Sequence, residues 1–354
     1  MRIYTNGFED GGEFYPGDIY TGTGYYMGNR NYAAPWGFGR CIEVCNHWSG
    51  FFHARQYLLQ LHDMSRTGTG DFSDVYIRLY VCRCYHDDDY NGIRIWDENQ
   101  NEICSLYTNG QLYVMGVADS ISSPIPVFST DFDWRRADFR IKMAINGYVI
   151  MRIDGNVVYT KFTDTTALGG SVVGYVGGRI AQVSYPNGYG IWFDDIAVND
   201  VQGADNNSWL PDARIIGLVP IANGSYNQWT PFPGTGESNY EDVNEVPQTA
   251  DTSYVLAASG GLRDAYNRDT LASLIGGGPY AVHMVTPVTI AKLSAADTNT
   301  YRAIAKKGIT TQVGPTHSPT ATYNRFGWCM DKAPDSSAWD EDTLSDTEFG
   351  MDSL

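Results

Sequence analysis

Apolar and polar residues alternate over much of residues 1–200, in short runs that are separated by turn residues. The clearest runs are Phe139–Ile145, Tyr148–Ile153, Val157–Phe162, Ser171–Val176 and Gly190–Val198. A period of two places every second side chain on one face of a strand, so each run predicts a half-buried β-strand. Asn146–Gly147 and Asp154–Gly155 separate the first three runs and predict two consecutive hairpins, because both residues of a type I′ turn need a positive φ.

The regular spacing of these runs predicts an antiparallel β-sandwich. The chain has 354 residues, a length that suggests two domains. The polar, glycine-containing segment 199–208 is the natural boundary between them. We therefore predict an all-β protein with one sandwich over 1–200, a linker over 201–207 and a second β-sandwich over 208–354.

Strand patterns continue in the second region, at Ala213–Val219 and Tyr280–Ile290. Residues Ser294–Lys307 fit two structures: a helix with an N-cap at its first serine, or a loop followed by a strand over Tyr301–Ala305.

The last 24 residues hold eight acidic residues and one lysine, but Trp339, Leu344 and Phe349 interrupt the charge. An acidic segment with apolar anchors can cap a sheet through a short helix, here with Asp340 or Thr343 near its start. Solvated surface and a docking strip for a basic neighbour are the two interpretations of its charge.

Composition narrows the range of partners. Aromatic residues make up 14% of the chain and charged residues 18%, which is typical of folded β structure. The 24 basic and 41 acidic residues give a net charge of −17, which repels phosphate backbones and anionic lipids. We therefore predict neither a nucleic-acid nor a membrane partner. With no signal peptide and no apolar stretch of about 18 residues, synthesis and folding in the cytosol are expected.

Six cysteines occur, at Cys41, Cys45, Cys82, Cys84, Cys104 and Cys329. Cys82 and Cys84 lie within one alternating strand, and the spacings differ from those of zinc knuckles. Buried free thiols are the favoured interpretation, with a metal site or a disulfide formed outside the cell as the alternatives.

Two features suggest a ligand. Asp87, Asp88 and Asp89 lie in a glycine-ended loop and form a candidate calcium site, the alternative being a solvated hairpin turn. Aromatic residues are candidates for core packing, a subunit interface or sugar binding. Those that we single out are Tyr25, Tyr26, Tyr32, Trp36, Trp209, Trp229 and Trp339. The adjacent Asp194 and Asp195 belong to a strand whose alternation sends one of them inward, and a structural bond to a neighbouring loop is expected for them.

The first region resembles the concanavalin A-like (laminin-G-like) jelly rolls. The resemblance rests on the meander motif Ile153–Val157 and on the late strand with Trp192, Phe193, Asp194 and Asp195. It implies a jelly-roll sandwich and says little about a ligand.

The second region contains the motifs Ser208–Ile216, Gly224–Thr230, Asn239–Pro247, Asp251–Val255 and the ending from Trp328 to Gly350. In these motifs it resembles structural proteins of tailed-bacteriophage virions. Relatives carry an Asp-Pro and a glycine in that ending where this chain has Asp331–Pro334 and Ser337, so the loop differs. The resemblance implies a second β-sandwich, favours the strand over Tyr301–Ala305, and implies a place in a head or tail.

Motifs of known hydrolases are missing from the sequence. Concanavalin A-like glucanases carry a Glu-x-Asp-x-x-Glu strand, and the nearest run here, Glu241–Glu245, has the wrong spacing. No nucleophile elbow, zinc motif or P-loop occurs, and the six histidines are scattered.

We therefore predict a non-enzymatic virion protein, a head decoration or tail-fibre component, that is made in the host cytoplasm. It is expected to bind other virion proteins and to form a homo-oligomer, with a trimer favoured. The alternative is a glycan-binding adhesin that recognises the host surface. No cofactor is expected apart from the candidate calcium ion.

Overall fold

The computed structural model describes the fold of residues 2–6, 26–30, 41–46, 54–60, 72–84, 92–107, 110–120, 133–180, 189–234, 238–245, 250–276, 280–294 and 299–354. The first fourteen strands are β1 (Arg2–Asn6), β2 (Tyr26–Arg30), β3 (Cys41–Asn46), β4 (Ala54–Gln60), β5 (Asp74–Cys84), β6 (Gly92–Asp97), β7 (Glu102–Tyr107), β8 (Gln111–Val114), β9 (Val117–Ser120), β10 (Trp134–Lys142), β11 (Gly147–Ile153), β12 (Asn156–Thr163), β13 (Val173–Ile180) and β14 (Tyr189–Asp200).

These strands form two antiparallel sheets that pack face to face. The larger sheet has eight strands in the order β12-β11-β10-β5-β14-β3-β2, with β1 also paired to β14. The smaller sheet has six strands in the order β4-β13-β6-β7-β8-β9. Alternate side chains of both sheets, such as Ile77, Phe139 and Phe193 from one and Ile95 and Leu106 from the other, form a common core. The first region is therefore a jelly-roll β-sandwich, as predicted.

The two predicted hairpins differ in their turns. Asp154 and Gly155 have φ values of 50° and 81°, which confirms the two-residue turn between β11 and β12. The turn before β11 instead spans Ala144 to Gly147, whose amide donates to the Ala144 carbonyl at 2.9 Å, and β10 ends at Lys142. Thr165 causes the difference, because its hydroxyl accepts from the Ala144 amide at 2.9 Å and ends the ladder there.

A second β unit follows the first. Its elements are β15 (Pro220–Asn227), β16 (Thr230–Phe232), β17 (Tyr254–Leu256), β18 (Arg263–Arg268), α1 (Leu271–Ile275), β19 (Val288–Ala291), β20 (Tyr301–Lys307), β21 (Thr310–His317), β22 (Asn324–Gly327), α2 (Glu341–Ser345) and β23 (Thr347–Ser353), with 3-10 turns at Asn239–Asp242 and Ala250–Thr252. A five-stranded sheet has the order β15-β18-β23-β20-β21, and β16-β17 and β19-β22 form two-stranded sheets. The protein is all-β in both regions.

Three predictions for this unit have clear outcomes. The strand from Tyr301 is confirmed as β20, and Asp340 caps α2 by accepting from the Thr343 amide at 2.7 Å. The predicted strand Ala213–Val219 is wrong, since this segment has irregular backbone. Most of Tyr280–Ile290 is irregular as well, apart from the start of β19 and a bridge at residue 285. No helix in the described part of the chain is long and apolar enough to cross a membrane.

Candidate functional site

Three charged side chains form a row across the five-stranded sheet. The strand register places Asp352 of β23 between Arg263 of β18 and Arg302 of β20. Arg263 donates from Nε and Nη2 to the two carboxylate oxygens at 3.2 and 3.4 Å. Arg302 donates from the same two atoms to Oδ2 at 3.0 and 2.8 Å. The carboxylate is buried and both guanidinium groups are partly exposed. We call these three residues the arginine row.

The arginine row lines an open depression of about 410 Å³. Tyr226 and Gln228 line it as well, beside the backbone of Gly261. The Tyr226 ring has the guanidinium carbon of Arg263 5.5 Å from its centroid and the Lys306 ammonium 5.8 Å from it. The depression therefore combines a flat aromatic face with planar hydrogen-bond donors.

The side chains on this face of the sheet carry more positive than negative charge. Its cations are Arg263, Arg302 and Lys306, and its acids are Asp352 and Glu348, which lies 3.9 Å from the lysine ammonium. Counting side chains alone, three cations and two acids leave one positive charge, and the carboxyl-terminal residue Leu354 also lines the depression. The hydrogen bond to Asp352 raises the pKa of Arg263, so that guanidinium stays charged. The partly exposed guanidinium groups can bind an anion through charge-assisted hydrogen bonds.

A buried carboxylate fixes the edge of the depression. Asp264 is fully buried, and its Oδ1 accepts from the backbone amides of Gln228 and Trp229 at 2.6 and 3.0 Å. Its Oδ2 accepts from Asn239 Nδ2 at 2.7 Å and from the Tyr266 hydroxyl at 2.8 Å. Burial, followed by the charge of Asp264, raises the pKa of Tyr266, which stays a neutral donor. These four bonds hold the β15–β16 corner against β18.

A second polar cluster lies in the first unit, on the face of the eight-stranded sheet that points away from the six-stranded sheet. We call it the outer face. Cross-strand neighbours form the rows Arg152–Asp138–Arg78 and Arg136–Tyr80 on β11, β10 and β5. Arg78 and Asp138 are each only 2% exposed. Burial raises the pKa of Asp138 to about 6, although Arg136 and Arg78 lower it.

The irregular segment 208–215 crosses the outer face, and we call it the strap. The Trp209 ring packs on the Arg152 guanidinium, whose carbon lies 3.8 Å from the ring centroid. Arg78 Nη1 donates to the Pro211 carbonyl at 2.5 Å. The strap therefore satisfies buried donors of the first unit with atoms that precede the second.

The strap also brings a carboxylate to the outer face. Asp212 accepts from the Tyr80 hydroxyl and lies 3.4 Å from Arg136 Nη1. Burial and this hydrogen bond raise the pKa of Tyr80, so the hydroxyl stays protonated. Further along, the Ile215 amide donates to Asp195 Oδ1 at 2.8 Å.

The adjacent aspartates of β14 depart from the predicted alternation. Asp194 and Asp195 are both buried, whereas the alternation sends one of them inward. Asp195 has a φ of 48°, and the register with β5 shifts between Asp194 and Ala197. This bulge brings both carboxylates to the outer face. The predicted bond to a neighbouring loop is confirmed by the contact with Ile215.

The three tryptophan candidates of the second region lie in different environments. Trp209 lies in the strap, and Trp229 is half-buried beside the depression, with Nε1 donating to the Leu262 carbonyl at 3.1 Å. Trp339 is buried in the second core, with Nε1 donating to the Met330 carbonyl at 2.8 Å. Trp339 therefore packs in the core, which is one of the three uses considered for these aromatic residues.

Other candidates lie outside the described residues: Tyr25, Tyr32, Trp36, the side chain of Tyr26, and the loop aspartates Asp87, Asp88 and Asp89. Among the residues that the structure does describe, no cluster of three or more His, Cys, Asp or Glu side chains could hold a metal ion. Cys82, Cys104 and Cys329 are free thiols, and burial raises the pKa of Cys104.

No protein-family model matches the chain, and no curated protein sequence matches it. It is similar to the solved endo-β-1,4-glucuronan lyase of the fungus Trichoderma reesei, with 13% identity, a TM-score of 0.39, and coverage of 56% of this chain and 95% of the lyase. The cellulose-induced protein Cip1 has 12% identity and a TM-score of 0.37, with coverage of 59% of this chain and 100% of Cip1. A carbohydrate esterase from the Shiga toxin-encoding bacteriophage phi24B has 14% identity and a TM-score of 0.32, with coverage of 50% of this chain and 87% of the esterase.

At these identities and TM-scores the similarity concerns strand arrangement alone and transfers no activity to this chain. It nevertheless overturns one expectation. The prediction that the chain is not an enzyme is corrected: several of the similar solved structures are polysaccharide lyases, alginate lyases among them, and one is a carbohydrate esterase, so this strand arrangement also occurs in enzymes. Missing glucanase motifs therefore do not rule out an enzyme.

Proposed function

We propose that this chain recognises a polysaccharide that carries carboxylate groups, and that the depression beside the arginine row binds it. The observation that carries the proposal is the convergence of two guanidinium groups on one buried carboxylate at the floor of an open depression. Asp352 positions Arg263 and Arg302, whose side chains remain 34% and 28% exposed at the depression. A planar guanidinium matches a carboxylate in geometry as well as in charge.

The neighbouring groups suit a sugar. Tyr226 offers a flat, partly exposed ring at the rim of the depression, and Gln228 adds neutral donors and acceptors for hydroxyl groups. A chain with a net charge of −17 repels a polyanion at long range, so recognition depends on contact at this local positive face. An acidic polysaccharide is the ligand class that uses both the ring and the charge.

Calorimetric titration with a polyuronate and a neutral glucan tests the proposal. Arg302→Gln removes one guanidinium while Arg263 still pairs with Asp352, and we expect about tenfold weaker polyuronate binding. Arg325→Gln, on β22 away from the depression, is the matched control and should bind as the parent chain does. Equal binding of the neutral glucan, or no effect of Arg302→Gln, would falsify the proposal. The length of the polysaccharide is measured in the same samples, and its shortening would show that this protein cleaves it.

We further propose that the chain carries this site on a tailed-phage particle, as an adhesin. The support is the resemblance of most of residues 200–350 to virion structural proteins. Mass spectrometry of purified particles tests the location: an adhesin must be present in the particle, and a chain found only in the infected cell contradicts this part of the proposal.

A further inference from the structure

The outer face of the first unit carries more hydrogen-bonding capacity than the chain uses. Arg78 and Asp138 are almost completely buried, yet Arg78 Nε and Asp138 Oδ1 have no hydrogen-bond partner, and the buried Nε of Arg152 also lacks one. Leaving a buried charged group partly unsatisfied is costly. A surface evolved only to be covered by the strap would be expected to pair these atoms.

The strap is held at the buried Leu210 and at the Arg78–Pro211 bond, but its Asp212 contact is exposed to solvent. Its backbone is irregular, and the Asp212 side chain remains 65% exposed while it contacts Tyr80 and Arg136. An exposed carboxylate that pairs with a guanidinium contributes little to stability, because water and salt screen it. The contact is therefore easily replaced by another carboxylate.

The groups beneath the strap have the composition of a sugar site. Tyr76 lies edge-to-face with Trp209 at a centroid distance of 5.2 Å, and the Arg152 guanidinium carbon lies 3.8 Å from the centroid of the same indole ring. Removal of the strap exposes Tyr76, Tyr80 and the arginines as rings and planar donors, beside the carboxylates of Asp138, Asp194 and Asp195.

We propose that the outer face is a second carboxylate-binding site, that the strap closes it with its own Asp212, and that the carboxylate of a uronate oligosaccharide displaces that side chain. The chain then carries a built-in competitor for its ligand. Its apparent affinity is the intrinsic affinity reduced by the fraction of molecules in which the strap is open. This inference does not depend on the depression, which lies in the other unit.

Hydrogen–deuterium exchange of the full chain tests the closure. Asp212→Asn removes the charge and keeps the shape, so the strap amides, including that of Ile215, should exchange several-fold faster. Asp205→Asn is the matched control, because Asp205 lies just before the strap and pairs with Lys332 at 3.3 Å. The strap amides of the Asp205→Asn variant should exchange at the same rate as those of the parent chain. Unchanged exchange in Asp212→Asn overturns the proposal.

Titration with a short glucuronate oligomer tests the site, in chains that all carry Arg302→Gln so that the depression binds about tenfold more weakly. Adding Asp212→Asn should tighten binding several-fold, and adding Arg136→Gln as well should remove that gain. A glucose oligomer should not bind. Absence of glucuronate binding in the Asp212→Asn chain overturns the proposal, and so does equal binding of an oligoglutamate peptide, which would indicate a protein partner.

A second variant protects the test against misfolding. Tyr80→Phe removes the other bond of Asp212 without changing the charge, and urea denaturation checks that each variant is folded. The proposal requires faster strap exchange and tighter glucuronate binding in Tyr80→Phe too. If the variants show faster strap exchange and tighter glucuronate binding but the depression of the parent chain does not bind polyuronate, only the proposed function is contradicted.

Discussion

Individual side chains decide most of the polar architecture in this protein, and Asp264 is the clearest example. It is a fully buried carboxylate, and both of its oxygens are used by donors from three different segments. Burial of a charge is tolerated only when hydrogen bonds replace the lost water, as they do here. The depression keeps its shape because this residue ties β15, β16 and β18 together.

Asp264→Asn tests that role. The amide can replace only one of the two acceptor oxygens, and its NH2 group then faces the donors of either Gln228 and Trp229 or Asn239 and Tyr266. We expect the free energy of unfolding to fall by about 2–4 kcal/mol, measured by urea denaturation. Asp251→Asn, an exposed aspartate paired with Lys292, should change stability little. Equal effects of the two substitutions would show that the buried bonds are not important.

Among the elements, the β11–β12 hairpin shows how backbone geometry positions a functional side chain. Gly155 has a φ of 81°, and a Cβ there would lie 2.6 Å from Arg136 Nη2. Gly155→Ala therefore adds a steric conflict to the backbone strain. Gly169, with a φ of 93° and open space around it, gives a control with strain alone.

We expect Gly169→Ala to lower the free energy of unfolding by about 1 kcal/mol, as is usual for alanine at a positive φ. Gly155→Ala should cost slightly more, because the flexible Arg136 guanidinium must also shift, and that shift should speed exchange of the strap amides through the Arg136–Asp212 contact. Thermal unfolding and hydrogen exchange measure the two effects. If Gly155→Ala matched Gly169→Ala in both stability and strap exchange, the β11–β12 hairpin would have no influence on the strap.

Sequence patterns predict elements of this kind better than they predict the sites. Alternation gave the strands around Phe139, Tyr148 and Ile191, and the Asp154–Gly155 turn, because each depends on neighbours in sequence. Alternation failed at Asp195, where a bulge forms. The strand predicted over Ala213–Val219, whose first three residues belong to the strap, does not form, and the Ile215 amide binds Asp195 of the outer face instead of another strand.

The arginine row shows most clearly why sequence patterns do not predict the sites. Arg263, Arg302 and Asp352 come from three strands that are far apart in sequence, and only the pairing of β18, β23 and β20 brings them together. No local pattern marks these residues. The acidic C-terminal segment was read for its net charge, whereas one of its aspartates has a defined role between two arginines.

At the scale of the whole molecule, the predicted homo-oligomer remains untested and has a candidate surface. Ile145, Val157 and Phe162 are 74%, 57% and 76% exposed on β12 and the turn before β11, at the edge of the eight-stranded sheet. Exposed apolar groups on an unpaired edge strand favour association with another chain. A second copy of this chain is the partner that the oligomer prediction requires.

Light scattering coupled to size exclusion measures the oligomeric state. We expect an oligomer, with a trimer favoured, for the parent chain, and monomers when Ile145, Val157 and Phe162 are all changed to Ser. Ile309→Ser, at an exposed turn of the second unit, should leave the oligomer intact. A parent chain that is already monomeric would refute the prediction.

The arginine row has a consequence for how β23 finds its place during folding. A slip of one residue between β23 and its neighbours would turn Asp352 to the opposite face of the sheet. Arg263 and Arg302, on the two strands that flank β23, would then both lose the acid that lies between them in the native register. The charge pattern that offers a ligand two guanidinium groups thus also penalises the wrong strand alignment, and it selects the native one before any ligand is present.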